Sequence, residues 1–244
     1  MSVFEDIIEA TEHPELAGKR VLVTGLTMAL GVDVARAFAE HRARLVLHIA
    51  EDGPEADALA SYVSSTALDL ELYSGAIGDK DAATKLAQRA STAFGPLDVI
   101  VNLAVIATPR TGDAATEAEI EDAVSSGLRA PLVVTRIAAN RMRLTMTGGL
   151  ILNVAIVTGP DSKARRAVAA VTRTTLAAMT RAEAASCAAD GIRINAIAPR
   201  SGLFEHERHL QNEPQIANVA LYLASKKGRE HTGLVFEANG PQCR

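Results

Sequence analysis

A glycine-spaced loop follows the first apolar run of the chain, and its spacing suits a bound pyrophosphate. It reads Thr24-Gly25-Leu26-Thr27-Met28-Ala29-Leu30-Gly31. Glycines let the backbone approach a phosphate closely, and the N–H groups and dipole at the start of the following helix attract an anion. The Cβ of Ala29 weakens such binding without preventing it. A dinucleotide would therefore contact Thr24, Gly25, Thr27, Leu30 and Gly31; alternatively, the glycines only pack the helix against the strand.

Three further stretches strengthen a family resemblance. They run from Phe94 to Asn102 (FGPLDVIVN), from Gly191 to Pro199 (GIRINAIAP), and from Thr232 to Gly240. Together with the loop, they resemble the short-chain dehydrogenase/reductase family, whose loop reads Thr-Gly-x-x-x-Gly-x-Gly. The resemblance covers nearly the whole chain after residue 18. It implies a Rossmann fold and a family of NAD- or NADP-dependent oxidoreductases.

The resemblance also implies that most positions that contact the cofactor in the family carry a different residue type here. The residues that would contact the ribose fall on Ile49 and Ala50, with Glu51 and Asp52 just beyond, and the aspartate near adenine aligns with Ala76. The Asn-Asn-Ala-Gly motif reads Asn102-Leu103-Ala104-Val105. We expect Asn102 and Ala104 to remain as cofactor contacts, while Val105 sets a branched side chain near the nicotinamide ribose. The resemblance implies NAD or NADP as the cofactor, and these replacements remove contacts that would hold it.

By the same resemblance, the four positions that carry the catalytic residues in the family hold other residue types here. Family catalysis uses an asparagine, a serine, a tyrosine and a lysine. Counted without gaps, these positions fall on Gly127, Ile156, Ala169 and Arg173, with Ala155 beside the serine position. Proton transfer needs a titratable group within hydrogen-bond reach, which apolar side chains do not provide. We expect no catalytic residue among them.

Two further groups of polar residues are candidates for a binding site near these catalytic positions. Arg173 and Arg200 would form an anion site if both point into the crevice, although a structural role for Arg173 is the simpler interpretation. The segment after Pro199 is too short for the family's substrate lid, and Phe204 replaces the usual carboxamide contact. Glu205, His206 and His209 lie close in sequence, but we expect an exposed loop there and no metal site.

Apolar runs of strand length alternate with longer segments of helical period, which is typical of parallel βαβ units. The predicted strands are Arg20–Thr24, Leu45–Ile49, Leu70–Ser74, Val99–Asn102, Leu150–Val154, Ile192–Ile197 and Leu234–Glu237. The predicted helices are Ala29–His41, Pro54–Thr66, Asp79–Phe94, Glu117–Leu144, Ser162–Ala189 and Gln215–Ser225. These elements predict an α/β protein: a doubly wound, seven-stranded parallel sheet with helices on both faces.

Composition narrows the class of protein. The 244 residues suit one domain over residues 19–244, with residues 1–18 as an N-terminal extension. The net charge of −4 does not favour binding to nucleic acid. No stretch is long and apolar enough to span a membrane. The two cysteines, Cys187 and Cys243, do not form a disulfide framework. We expect a soluble, cytoplasmic protein.

The leading functional hypothesis is a non-catalytic family member. The resemblance implies pairing of the long fourth and fifth helices, so the chain is expected to form a homodimer or homotetramer, or a hetero-oligomer with an active reductase. Two alternatives remain open. One is an oxidoreductase or dehalogenase-like enzyme that recruits Thr158, Asp161 or Thr172. The other is a sensor of a dinucleotide or another anion, built on Thr24, Gly25, Asn102 and Arg173.

Overall fold

The described part of the chain forms one parallel sheet of seven strands in the order β3-β2-β1-β4-β5-β6-β7. The computed structural model describes residues 13–27, 30–50, 53–199 and 213–237. The strands are β1 (Arg20–Leu26), β2 (Arg44–Ile49), β3 (Asp69–Ser74), β4 (Val99–Ala107), β5 (Gly149–Thr158), β6 (Ile192–Ala198) and β7 (Val235–Glu237). The chain winds outward from β1 to β3 and then returns to β4, beside β1. The switch point, where this fold binds ligands, is therefore the crevice outside the carboxyl ends of β1 and β4.

Helices cover both faces of the sheet. They are α1 (Val32–Glu40), α2 (Pro54–Ser64), α3 (Lys80–Phe94), α4 (Glu117–Leu144), α5 (Lys163–Cys187) and α6 (Glu213–Ala224). Helices α1, α2 and α6 pack on one face in a single large apolar cluster, called the α1/α6 cluster below. Helices α3, α4 and α5 pack on the other face, where the apolar residues divide into two clusters. The architecture is the predicted doubly wound Rossmann fold, and that prediction is confirmed.

The strand and helix bounds agree closely with the sequence prediction at most ends. As predicted, the Asp79 carboxylate caps α3 by accepting a hydrogen bond from the Ala82 N–H at 2.8 Å. Two bounds differ most: β4 continues to Ala107 instead of ending at Asn102, and β5 continues to Thr158 instead of ending at Val154. Both extensions lie at the edge of the sheet where the functional site was expected.

The described part of the predicted N-terminal extension packs on the domain. A 3-10 turn at Pro14–Leu16 buries the Leu16 side chain completely in the α1/α6 cluster. The Glu15 carboxylate accepts a hydrogen bond from the Lys226 N–H at 2.8 Å, just beyond α6. Residues 13–16 therefore belong structurally to the domain, whereas residues 1–12 lie outside the described residues.

Within the described residues, no helix combines the length and the apolar character needed to cross a membrane. Cys187 is buried at the end of α5 and is a free thiol. Cys243 lies outside the described residues.

Candidate functional site

A buried polar network lies at one level across the three central strands. Thr24, Asn102 and Asn153 occupy matched positions in β1, β4 and β5. The Thr24 hydroxyl donates to Asn102 Oδ1 at 3.0 Å, and Asn102 Nδ2 donates to Asn153 Oδ1 at 2.9 Å. Thr135, on α4, completes the network by donating to Asn153 Oδ1 at 2.9 Å. Thr24 and Asn102 were predicted as cofactor contacts, and their side chains are engaged with the protein itself.

Backbone N–H groups of the glycine-spaced loop are also engaged within the protein. The Thr27 N–H donates to the Leu30 carbonyl at 2.9 Å, and the Leu30 N–H donates back to the Thr27 carbonyl at 3.1 Å. The Gly25 N–H donates to His48 Nδ1 at 3.3 Å. These three donors therefore have acceptors without any bound anion.

His48 connects three strand ends beside the crevice. Its Nε2 lies 2.6 Å from the Gly75 carbonyl oxygen, just after β3, while Nδ1 faces the Gly25 N–H. Because a carbonyl only accepts, the hydrogen bonds fix the tautomer with the proton on Nε2. Burial of the ring lowers the pKa of His48, so the neutral imidazole is the form that fits.

Leucine side chains pack against the loop glycines. Gly31 has φ +102°, and a Cβ there would collide with Cδ1 of Leu103 and lie 3.1 Å from Cγ of Leu26. Leu26 is fully buried and Leu103 is 5% exposed. A Cβ on Gly25 would likewise meet the Leu103 carbonyl oxygen. Both glycines therefore give room to a close contact between the loop, the start of α1 and β4.

On the opposite face of the sheet, the extended ends of β4 and β5 enter an apolar cluster with α4 and α5. Its members are Ala104, Ile106, Val124, Leu128, Ala155, Val157, Val168, Ala169, Leu176, Ala196 and Ala198. Ile106 lies closest to Gly127: a Cβ on that glycine would be only 2.6 Å from Ile106 Cγ1. The cluster leaves no room for a side chain at position 127 unless Ile106 moves.

The strand extensions also join the loops that follow them. β4 and β5 pair continuously from Val99↔Leu150 to Ala107↔Thr158. Beyond that point, the Thr108 N–H donates to the Thr158 carbonyl at 3.0 Å. The Asp113 carboxylate then accepts from the Lys163 N–H at 2.7 Å, at the first residue of α5. The ends of β4 and β5 are therefore held together along their whole length.

The model of the short chain dehydrogenase family matches residues 19–215. The chain belongs to this family. Among curated relatives, it is 25% identical over 239 residues to the 3-oxoacyl-[acyl-carrier-protein] reductase FabG of Staphylococcus aureus (strain Mu50), with 91% of this chain and 97% of the relative covered. It is 30% identical over 186 residues to an uncharacterized oxidoreductase of Thermotoga maritima, with 75% and 71% covered.

A solved short-chain dehydrogenase from Mycobacterium smegmatis has the same fold. It superposes with a TM-score of 0.78 at 24% sequence identity, over 97% of this chain and all of that one. The likeness extends across the described domain and supports the Rossmann architecture.

The short-chain dehydrogenase positions predicted for catalysis lie in different surroundings. Ala169 is 8% exposed and belongs to the apolar cluster, as does Ala155. Ile156 points to the other face of the sheet, where it packs against the α1/α6 cluster. Ala155 and Val157 of β5 lie on the same face of the sheet as Ala169, since successive residues of a strand point to opposite faces. Ile156, the position predicted for the serine, therefore does not pack in the apolar cluster that holds Ala169.

The remaining predicted positions are spread along the edge of the sheet. Ile49 is buried at the end of β2, while Ala50 and Ala76 are exposed and offer no polar side-chain atom. Ala104 faces the apolar cluster, and Val105 is 40% exposed. Arg173 is half-buried on α5 and interacts within the protein, so it is not an unpartnered cation.

The groups proposed for an alternative enzyme do not converge. Thr158 and Asp161 are exposed, and the Asp161 carboxylate lies 3.4 Å from the Arg166 guanidinium. The Thr172 hydroxyl is fully buried and has no hydrogen-bond partner among the described residues. Several expected site residues lie outside the described residues: Met28, Ala29, Glu51, Asp52, Arg200, Phe204, Glu205, His206 and His209.

Sequence reasoning missed the residues that shape this edge of the sheet. They are Leu26, His48, Leu103, Ile106, Thr135 and Asn153. A signal existed for the polar ones, because Thr24, Asn102 and Asn153 each interrupt an otherwise apolar strand at one register. The contact of Ile106 with Gly127 has no such signal, because it depends on how far β4 extends.

Proposed function

We propose that this short-chain dehydrogenase family member lacks NAD(P)-dependent dehydrogenase activity and acts as a non-catalytic subunit of an oligomer. The observation that carries the proposal is the position of Ala169 in an apolar cluster with Ala104, Ala155 and Val157. Because none of these side chains donates or accepts a proton, the step that accompanies hydride transfer has no acid or base there. Such a group contributes about 10²- to 10⁴-fold to a rate.

The crevice also fits a dinucleotide poorly. In the family fold, a pyrophosphate is held by loop N–H groups at a helix N-terminus. Here the N–H groups of Gly25, Thr27 and Leu30 have internal acceptors, and Leu103 packs against Gly31. A cofactor would have to displace these contacts before it gained its own.

The outer faces of α4 and α5 support the subunit role. The two helices pack side by side, and the Arg136 guanidinium pairs with the Glu183 carboxylate at 3.0 Å across them. Small residues are exposed on α5, among them Ala170, Thr174 and Ala178, beside Val171 at 41% exposure. Small side chains allow helices to approach closely. The proposed oligomer is a homodimer, a homotetramer or a hetero-oligomer with an active reductase. Its proposed location is the cytoplasm.

Cofactor titration combined with native mass spectrometry tests the proposal. The purified chain is titrated with NAD, NADP, NADH and NADPH by calorimetry, and its mass is recorded without and with each cofactor. We expect oligomers that carry no nucleotide and no saturable heat up to about millimolar cofactor, a level at which a site worth about 4.1 kcal/mol is half filled. Saturable binding of a dinucleotide would overturn the loss of the cofactor site, and a monomeric mass at micromolar protein would overturn the homodimer and the homotetramer.

A further inference from the structure

A groove lies at the free edge of the sheet, between strand β3 and helix α3. Its volume is about 390 Å³, and it is lined by Glu71, Tyr73, Lys85, Gln88, Arg89 and Thr92. This β3–α3 groove is two strands away from the crevice at β1 and β4. None of its lining residues takes part in the contacts at that crevice, so it is a separate feature of the surface.

One wall of the groove is a strand that pairs on one side only. All six residues of β3 pair with β2, from Arg44↔Asp69 to Ile49↔Ser74. No described residue pairs with its other side. An edge strand presents a row of unpaired N–H and C=O groups, to which an extended peptide can add as a further strand.

The other wall is basic. Lys85 and Arg89 are exposed and lie one turn apart on α3. Neither forms an ion pair with a described residue, and the only partner of the Arg89 guanidinium within the described part of the chain is the Tyr73 ring, whose centroid is 5.8 Å away. The aromatic contact holds the arginine beside β3 while leaving its N–H donors open to a carboxylate.

We propose that the β3–α3 groove binds an extended acidic segment of a partner protein. The segment adds as a strand beside β3, and its main chain bonds to the free edge. Since alternate residues of a strand point to the same face, one acidic side chain reaches Lys85 and Arg89. Glu71 and Tyr73 share that face of β3, so Glu71 repels a second carboxylate two residues away. The groove therefore selects an acidic residue whose neighbour two residues away, on the side of Glu71, is neutral.

The occupant is a peptide and not a small anion, because the site offers main-chain pairing along a strand as well as two cations. The inference does not depend on the proposed loss of catalysis. An active enzyme with this groove would bind the same segment, so the two proposals fail separately.

Binding of a designed peptide tests the inference. The probe is the capped heptapeptide Ser-Thr-Val-Glu-Val-Thr-Ser, and its counterpart carries lysine in place of glutamate. We expect saturable binding of the acidic probe to the full chain by NMR titration, slower hydrogen exchange of β3 amides in its presence, and no saturable binding of the lysine counterpart. Binding should weaken at least about tenfold in the double variant Lys85→Glu, Arg89→Glu, because both attractions become repulsions.

The matched control is the double variant Lys80→Glu, Arg129→Glu, which changes the net charge equally at exposed positions outside the groove. It should bind the probe within about twofold of the parent chain at moderate salt. Equal losses in both double variants would reduce the effect to net charge and overturn the proposal. So would binding without protection of β3 amides, or full displacement of the probe by millimolar inorganic phosphate.

Discussion

At the scale of single residues, Gly127 shows how closely β4 packs against α4. An asparagine at this position would set its Cβ about where Ile106 already packs, 2.6 Å from Cγ1. It would also bring an amide into an apolar cluster. Overpacking of a core typically costs about 1–3 kcal/mol, and an unsatisfied buried amide adds to that cost.

We therefore predict that Gly127→Asn lowers the free energy of unfolding by about 2 kcal/mol or more. Urea denaturation measures it, and Ser126→Asn, at the exposed neighbouring position, serves as control with little expected change. Gly127→Asn should lower the free energy of unfolding less when it is introduced into the Ile106→Ala variant than when it is introduced into the parent chain, because the alanine leaves room for the new side chain. If Gly127→Asn is as stable as the parent chain, Ile106 does not fill this position as described.

His48 gives a pH dependence at the same scale. Burial lowers its folded-state pKa below the ordinary value of 6.5. Between these two pKa values the unfolded chain binds more protons, so stability rises with pH in that window and is lost as the pH falls below about 6.5. The loss attributable to one such histidine is at most about 1.36 kcal/mol per pH unit.

We predict that His48→Asn removes this contribution. The amide oxygen introduced at position 48 can still accept from the Gly25 N–H, so the variant should fold. The difference in unfolding free energy between parent and variant, measured at pH 7.5 and pH 5, should shrink toward pH 5, because only the parent loses the His48 contribution. His13, whose pKa is also lowered by burial, is present in both chains and cancels. A difference that does not change with pH would contradict the assignment.

At the scale of elements, the lengths of β4 and β5 decide the character of the site. A sheet edge that ended at Asn102 and Val154 would leave the following backbone free to form a substrate cleft. The continuous pairing to Ala107↔Thr158 instead fixes these segments and points Ile106 and Val157 into the apolar cluster.

Hydrogen exchange tests this pairing. We predict that amides bonded across the ladder within Leu103–Ala107 and Ala155–Thr158 exchange as slowly as those at the centre of β4 and β5, since they belong to one cooperative unit. Amides of the exposed turn at Arg110 and Thr111 provide a fast-exchanging reference. Fast exchange in both extensions would show that the strands end where the sequence predicted.

The sequence predicted the number, order and type of these elements because hydrophobic period and capping residues are local properties. Asp79 and Gly95, for example, mark both ends of α3 within a few residues of the apolar pattern. The sequence prediction ends β4 at Asn102, whereas the apolar run continues through Ile106 and the strand extends with it. Contacts such as Gly25 with His48 join residues of different strands, and no single-strand pattern encodes them.

At the scale of the whole molecule, the two packed faces of the sheet differ from the edge that was predicted to hold the site. Both faces of the sheet pack against their helices through apolar clusters, and the seven strands of the fold are present in the described residues. Beyond the hydrogen-bonded network of Thr24, Asn102 and Asn153, the edge predicted to carry chemistry holds the apolar side chains of Ala155 and Ala169. We interpret the molecule as a retained framework whose outer surfaces, and not its crevice, carry its function.

Oxidation of NADH and NADPH, followed by absorbance with a 3-oxoacyl thioester as acceptor, tests this interpretation most directly. We predict a rate no greater than that of buffer alone, because Ala155 and Ala169 provide no proton donor. Turnover at about 1 s⁻¹ or faster, the ordinary range for enzymes, would contradict it if the activity disappeared in Arg173→Met, which places the reaction in this chain and at this site.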